Sequence, residues 1–237
     1  MNKSLLGASL VALALAAPAA HAYQPGDFII RAGAITTAPN ESSSDLKFDG
    51  NKVSGTKATL DSDTQLGLAF AYMLTDHVGL ELLAATPFQH TVGVKGLGGG
   101  LDGKLADIKQ LPPTLSMQYY PMDAASKFQP YAGVGINYTL FFDEDLSSNR
   151  KQQGFSNLKL QDSIGFAGQL GMDYMLTDNL LVNAAVWYVD IDTKASVNGP
   201  SDGIGRAIVP IKMPIYVVAN RLSATPSINS GTDPSIG

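Results

Sequence analysis

Alternation of apolar and polar residues is the dominant pattern in this chain. Apolar residues recur at every second position, which is the period of one face of a β-strand, whereas the 3.6-residue period of helices is scarce. The alternating segments are 28–34, 65–72, 80–89, 111–120, 133–142, 164–174 and 180–189. In the third segment the pattern assigns Phe88 to the apolar face and Pro87 to the other face. The pattern predicts seven strands and an all-β fold.

The second face of these strands consists mainly of Gly, Ala, Asn, Gln, Thr and Ser. Such residues are too small and too polar to fill the core of a soluble sandwich. A membrane barrel has the opposite arrangement, with apolar side chains toward lipid and polar ones in the lumen. Arg31, Glu81 and Asp173 fall on the second face. Because a single buried charge would be costly, we expect these three either to pair across a narrow lumen or to face a water-filled channel.

The connections between the predicted strands alternate in length. Short connections are predicted at 75–77, 121–127 and 177–179, and long ones at 39–57, 93–109, 144–157 and from 194 onward. Outer-membrane barrels have short periplasmic turns and long outer loops. The pattern therefore predicts an antiparallel, up-and-down transmembrane β-barrel whose even-numbered strands run back toward the periplasm.

A repeated pentapeptide marks the predicted periplasmic rim. YMLTD occurs at 72–76 and again at 174–178, and YYPMD at 119–123 repeats its Tyr and its Asp. An amphipathic tyrosine ring is stable at a lipid–water boundary, and an Asp initiates turns by bonding its own backbone. We therefore assign the rim to Tyr72, Asp76, Tyr119, Asp123, Tyr174 and Asp178.

The first 22 residues have the pattern of a secretory signal peptide, with Lys3, a short apolar stretch and a small-x-small site ending at Ala22. The stretch is short and alanine-rich for a membrane anchor, which is the alternative. The expected organisation is a signal peptide at 1–22, a barrel at 23–220 and a disordered tail at 221–237, with export to the outer membrane of a Gram-negative cell.

Composition narrows the classes further. After cleavage near Ala22 the chain has 15 basic and 21 acidic residues, a net charge of −6, so it has no electrostatic reason to bind nucleic acid. It has no cysteine and hence no disulfide framework. No later apolar run approaches the ~18 residues of a membrane helix. The chain is thus either soluble or a closed barrel, the other structure that lipid permits.

Signals for catalysis are weak, and the sequence predicts no catalytic residue, cofactor or metal site. His77 and His90 lack spaced partners that indicate a triad. The run at 96–100, GLGGG, lacks the spacing of a nucleotide-binding loop, and Asp143, Glu144 and Asp145 lack that of a calcium loop. These stretches are interpreted as a mobile outer loop and a solvated strand end.

Several long stretches carry a resemblance to a known family. They are GDFIIRAG at 26–33, SSSDLKFDG at 42–50, SDTQLGLAFAYML at 62–74, AATPF at 84–88, VKGLGGGLDGKLADIKQLPPTLSMQYYP at 94–121, FQPYAGVGINYTLFFDEDLSSNRK at 128–151 and NAAVWYVDIDTKASVNGP at 183–200. The chain resembles the OmpW/OprG family of eight-stranded outer-membrane proteins, most closely its OprG branch, over roughly 26–200. The resemblance implies passive diffusion of small, mainly hydrophobic or weakly polar molecules through a lumen that is apolar near its outer end and constricted below.

The resemblance also implies that cargo leaves sideways through the barrel wall. Proline removes a donor from the hydrogen-bond ladder, so we place the opening at Pro87, Pro112 and Pro113. Phe141 and Leu83 fall on the lumen face and are expected to control uptake. Trp187 either constricts the lumen or, with a register slip, lies in the aromatic girdle.

Partners and competing functions follow from the same interpretation. The expected partners are outer-membrane lipid and lipopolysaccharide, small hydrophobic solutes, and the barrel-assembly machinery during biogenesis. The alternative function is a non-transporting surface barrel that acts as an adhesin or a structural protein. A soluble lipocalin-like carrier is a third possibility.

The C-terminal region departs from the family pattern. The family ends its eighth strand with an aromatic residue, whereas this sequence ends at Gly237. Residues 207–219 still alternate, but Pro210 and Pro214 each remove a donor, which leaves open whether the last strand closes the barrel. The segment beyond Ser223 is polar, and our hypothesis is a frameshifted or otherwise altered C-terminus.

Overall fold

The computed structural model describes residues 23–39, 42–43, 45–48, 51–98, 102–177, 179–199 and 206–224. The predicted signal peptide, Asp178 and residues 225–237 lie outside this part of the chain. The strands are β1 (Phe28–Pro39), β2 (Ser42–Ser43), β3 (Leu46–Phe48), β4 (Asn51–Val53), β5 (Lys57–Leu60), β6 (Asp63–Met73), β7 (Val78–Ala85), β8 (Phe88–Lys95), β9 (Gly103–Leu111), β10 (Thr114–Tyr119), β11 (Phe128–Leu146), β12 (Ser156–Leu160), β13 (Ser163–Met175), β14 (Leu180–Asn198) and β15 (Arg206–Ala224), and the helix is α1 (Ser148–Gln152). Within the described ranges, no helix is both long and apolar enough to cross a membrane.

Eight of these strands form a closed antiparallel barrel. The order around the barrel is β1, β6, β7, β10, β11, β13, β14 and β15, and β15 pairs with β1 to close it. This arrangement confirms the predicted eight-stranded fold. Every neighbour in the ring is antiparallel, so a closed sheet without free edges is formed.

The last strand, which the sequence left open, is continuous through both prolines. β15 pairs with β14 from Leu180↔Ala224 to Asn198↔Arg206 and with β1 from Ile30↔Ala224 to Pro39↔Ile215. Both prolines lie beyond the end of the β1 pairing at Ile215 and pair only with β14, opposite Lys194 and Asp190, so their missing donors leave the closure between β15 and β1 intact. The strand also ends at Ala224, four residues beyond the predicted barrel boundary at residue 220.

The predicted long loops are shorter than expected, because parts of them extend the wall. Four barrel strands, β6, β7, β10 and β13, continue beyond a two-residue break as β5, β8, β9 and β12. In this continuation β8 pairs with β9, β5 with β8, and β12 with the end of β14. The connection predicted at 93–109 is reduced to 96–102. We call this part the outer extension, and the opposite end of the barrel the short-turn end.

The assignment of Phe88 to the outward face was wrong. In β7 the buried residues are Gly79, Glu81 and Leu83, so the odd positions point inward. In β8 they are Phe88, His90, Val92 and Val94, so the alternation changes phase at the break. The physical reason is Pro87, which cannot donate to a ladder and interrupts the wall. An interruption of one residue moves every later side chain to the other face.

A belt of exposed apolar side chains surrounds the eight barrel strands. Ile164, Ile136 and Val134 are 74%, 64% and 59% exposed. Large apolar side chains are exposed in such numbers where lipid surrounds them. We call this surface the lipid belt, and its members include Leu66, Leu68, Phe70, Tyr72, Leu80, Leu82, Leu115, Met117, Tyr119, Val134, Ile136, Tyr138, Ile164, Phe166, Leu170, Met172, Tyr174, Val182, Val186 and Tyr188.

The repeated pentapeptide has the predicted position but a different turn chemistry. Tyr72, Tyr119 and Tyr174 are exposed at the short-turn end of the belt. In the first turn the hydroxyl of Thr75, rather than Asp76, accepts the backbone N–H groups two and three positions further along, at 3.2 and 2.9 Å. In YYPMD the carboxylate of Asp123 does accept the N–H two positions further along, at 2.8 Å. In both kinds of turn, therefore, a side-chain oxygen accepts a backbone N–H group of the turn.

Candidate functional site

A charged cluster lies inside the barrel near the short-turn end. Arg31 donates to Glu81 Oε2 at 2.9 Å and to Asp173 Oδ2 at 2.6 Å, and none of the three side chains is exposed. The predicted pairing of these residues across the lumen is thus present. Removing one member of a buried ion pair leaves an uncompensated charge, so the cluster is stable only as a unit.

Tyrosine and asparagine side chains complete the bonding of this cluster. Tyr120 accepts a hydrogen bond from Arg31 at 3.0 Å, Tyr23 donates to Asp173, and Asn183 donates to Asp173 Oδ1 at 2.6 Å. The Arg31 guanidinium also lies 5.7 Å from the centre of the Tyr131 ring, which is within cation–π range. We call this cluster the polar plug, because its side chains together fill the lumen; its members are Tyr23, Arg31, Glu81, Tyr120, Tyr131, Asp173 and Asn183.

Two further layers of glutamine extend the plug toward the middle of the barrel. Gln118 accepts from the Tyr120 hydroxyl at 2.7 Å and donates to Gln169 at 3.3 Å, and Gln169 donates to Ser116. Sequence reasoning assigned most plug residues to the lumen face and predicted the pairing of the three charges, but not the bonds of the tyrosine, asparagine and glutamine side chains. It missed Tyr23 entirely, because this residue precedes the first strand and no alternation indicates its direction.

The lumen above the plug contains large apolar side chains, with buried threonines such as Thr37 and Thr114 between them. Trp187 is fully buried and lies opposite Gln169 in the β13–β14 ladder, so its side chain is in the lumen and not in the girdle. Phe141 and Leu83 are buried as well. Further apolar side chains on this surface are Ile35, Phe88, Val189 and Ile191. We call this half of the lumen the apolar chamber.

The wall beside the apolar chamber has a gap in its hydrogen-bond ladder. The β7–β10 pairing ends at Leu83↔Thr114, and the β8–β9 pairing begins at Phe88↔Gln110. Across this gap no ladder pair joins residues 84–87 to residues 111–113, although Ala84 and Ala85 still pair with β6 and Leu111 still pairs with β11. This segment, which we call the seam, contains all three prolines that were predicted to lie at an opening.

Asn137 binds the proline carbonyl groups on one side of the seam. Its side-chain amide donates to the carbonyl oxygens of Pro112 and Pro113, both at 3.1 Å, and the N–H of Tyr138 also donates to Pro113 at 3.0 Å. The proline carbonyls are therefore used by β11, on the side opposite to the seam. Because the prolines also lack N–H groups, they offer few backbone groups to β7.

A small apolar cavity joins the seam to the apolar chamber. Ala84, Ala85 and Pro112 line it from the wall, and Ile35, Leu83 and Val189 line it from the lumen. Its volume is about 20 Å³, which is room for one water-sized group. Leu82 and Leu115, paired directly below the seam, belong to the lipid belt. The seam thus lies at the edge of the belt toward the outer extension.

Charged side chains of the outer extension form ion pairs. Asp143 pairs with Lys109 at 2.9 Å, and Asp145 pairs with Lys151. Among the described residues, no group of three or more His, Asp or Glu side chains is arranged to hold a metal ion.

Comparison with known proteins identifies relatives over most of the chain. The profile of the OmpW family matches residues 24–214. Outer membrane protein W of Vibrio cholerae is 44% identical over 204 residues, which are 85% of this chain and 90% of that protein. Outer membrane protein W of Escherichia coli is 45% identical over 194 residues, or 82% of this chain and 87% of that protein.

A solved structure shows the same barrel. The crystal structure of the outer membrane protein OprG from Pseudomonas aeruginosa is 61% identical and has a TM-score of 0.84, with 86% of this chain and 98% of that chain covered. The closed barrel, its lipid belt and these relatives place the protein in the outer membrane of Gram-negative bacteria. The chain belongs to the OmpW family.

Proposed function

We propose that this protein is a channel for passive diffusion of small, mainly hydrophobic or weakly polar molecules across the outer membrane. Solutes enter the apolar chamber from the outer extension and leave sideways, through the seam, into the lipid. The observation that carries this proposal is the apolar cavity shared by the chamber and the seam.

The polar plug supports a sideways route. To continue along the barrel axis, an apolar solute would have to separate Arg31 from Glu81 and Asp173, all of which are fully buried. Separating buried charges is costly, and the solute would offer them no polar group in return. The seam, in contrast, has apolar lining and lacks a backbone ladder to break.

The residues singled out by the sequence receive roles in this proposal. Trp187, Phe141 and Leu83 shape the chamber, and the three plug charges Arg31, Glu81 and Asp173 form its floor. Pro87, Pro112 and Pro113 keep the wall open. The tyrosine rim anchors the short-turn end at the periplasmic boundary, and the belt contacts outer-membrane lipid and lipopolysaccharide after insertion by the barrel-assembly machinery.

The proposal is tested by the entry of an apolar dye into cells. Cells that produce the protein are expected to take up N-phenylnaphthylamine several-fold faster than cells with an empty vector. Entry of a hydrophilic β-lactam of similar mass should stay the same, because the polar plug blocks an aqueous path. Equal dye uptake with and without the protein would contradict the channel.

Trp187 is expected to limit the size of the solute. Replacing it with alanine removes the largest buried side chain of the chamber and widens the chamber beside the seam. The Trp187→Ala variant should admit solutes bulkier than N-phenylnaphthylamine several-fold faster than the parent, whereas Trp187→Phe should be close to the parent. The measurement is solute uptake into vesicles. Unchanged selectivity in Trp187→Ala would show that the constriction lies elsewhere.

A further inference from the structure

A buried amide side chain lies among the aromatic residues of the apolar chamber above the seam. Gln110 is fully buried and pairs with Phe88 on β8 and with Phe141 on β11. Both phenylalanines are buried on the same surface, so the amide lies between two aromatic rings. Gln110 also precedes Pro112 by two residues, which puts it on the strand face that lines the cavity at the seam.

A histidine fixes the orientation of this amide. His90 Nδ1 lies 2.8 Å from the carbonyl oxygen of Asp61, and because a carbonyl only accepts, Nδ1 carries the hydrogen. Burial lowers the pKa of His90, so its imidazole is neutral at pH 7 and Nε2 is an acceptor. The Gln110 Nε2 group, 2.9 Å away, therefore donates to His90 Nε2.

The other end of the amide then has no partner. Gln110 Oε1 is buried and accepts no hydrogen bond from the described residues. Unsatisfied buried acceptors are rare because each is destabilising, so one that is held in place by a second residue indicates a ligand. Gln110 shares the buried face with Phe88 and Phe141, so a molecule inside the apolar chamber can reach this oxygen.

We propose that Gln110 Oε1 is the hydrogen-bond acceptor for the single donor group of an amphiphilic solute, of the class of medium-chain aliphatic alcohols. The apolar tail of such a solute lies against Phe88 and Phe141, and its hydroxyl donates to the amide. This inference rests on the proposed channel function and adds a selectivity to it. His90 acts as a positioning residue, because it orients the amide without contacting the solute.

The test compares two solutes of similar size in vesicles that contain the protein. 1-Octanol has a donor, whereas 1-methoxyheptane has the same number of heavy atoms and only an acceptor. The parent is expected to favour 1-octanol by about three- to tenfold after correction for entry into empty vesicles, the ratio that one net hydrogen bond supplies. In Gln110→Met, which retains the length and loses the acceptor, this preference should disappear while ether uptake is retained.

Gln89→Met is the matched control, because Gln89 is exposed on the outer face of the neighbouring strand, and its preference should equal that of the parent. Heat-modifiable migration on a gel establishes that each variant is folded, and Gln110→Leu replaces the methionine variant if that one does not fold. Uptake of both solutes with an unchanged ratio in the folded Gln110 variant would overturn the assignment of Gln110 alone. Uptake of neither solute above that of empty vesicles, by the parent itself, would contradict the channel function.

Discussion

Cross-linking the two sides of the seam is expected to abolish the uptake of apolar solutes. Ala85 and Pro112 line the same cavity from opposite sides, so cysteines at both positions should form a disulfide that closes the opening. The natural chain has no cysteine, so no other disulfide competes. Dye uptake by the oxidised Ala85→Cys/Pro112→Cys variant should fall to the level of the empty vector and return on reduction.

The control for this experiment lies on the same two walls. Leu82 and Leu115 are ladder partners directly below the seam, where the wall is already closed. A disulfide between Leu82→Cys and Leu115→Cys should leave uptake unchanged, since it constrains no opening. Undiminished uptake in the oxidised seam variant, with the disulfide verified by mass spectrometry, would exclude a sideways exit at this position.

Removing Arg31 is expected to be the most destabilising single change in the barrel. Arg31→Met leaves Glu81 and Asp173 buried without their cation, and breaking one side of a buried pair costs about 3–5 kcal/mol. The measurement is the free energy of unfolding in guanidinium, followed by heat-modifiable migration. The triple variant Arg31→Met/Glu81→Gln/Asp173→Asn should recover most of the loss, because it removes all three charges together.

The comparison of these two variants reports on the environment inside the plug. A stable single variant would mean that water reaches the carboxylates and screens them, which would contradict a filled plug. Equal instability of the single and triple variants would mean that shape rather than charge determines the loss. We expect the free energy of unfolding to decrease from the parent to the triple variant and then to the single variant. Only an ion-paired cluster from which water is excluded gives this order.

Part of the site was accessible from the sequence because alternation assigns side chains to faces. Arg31, Glu81 and Asp173 fell on the lumen face in three different strands, and opposite charges in a narrow lumen have few alternatives to pairing. Trp187 also fell on that face, but a slip of one residue would have moved it to the girdle. The register Gln169↔Trp187 was needed to place it.

Other parts depended on contacts that no local pattern encodes. The last strand was expected to be weakened at Pro210 and Pro214, yet β15 closes the barrel, because its pairing with β1 spans residues 215–224, beyond both prolines, and β14 pairs along its whole length. Gln110 and His90 gave no motif, since they lie 20 residues apart on two strands whose pairing brings them together. The Tyr23 to Asp173 hydrogen bond spans 150 residues.

The sequence by itself determined the fold class, seven of the eight barrel strands and the lipid-facing side of most strands, because a strand has a period of two and a membrane barrel is apolar outside. Only the tertiary structure decided where the lumen changes from polar plug to apolar chamber, that Phe88 points inward, and that the seam meets a cavity. The reason is that strand register is set by pairing between distant segments. A proline changes that register locally. Its effect on the neighbouring strand is visible only when the positions of both strands are known.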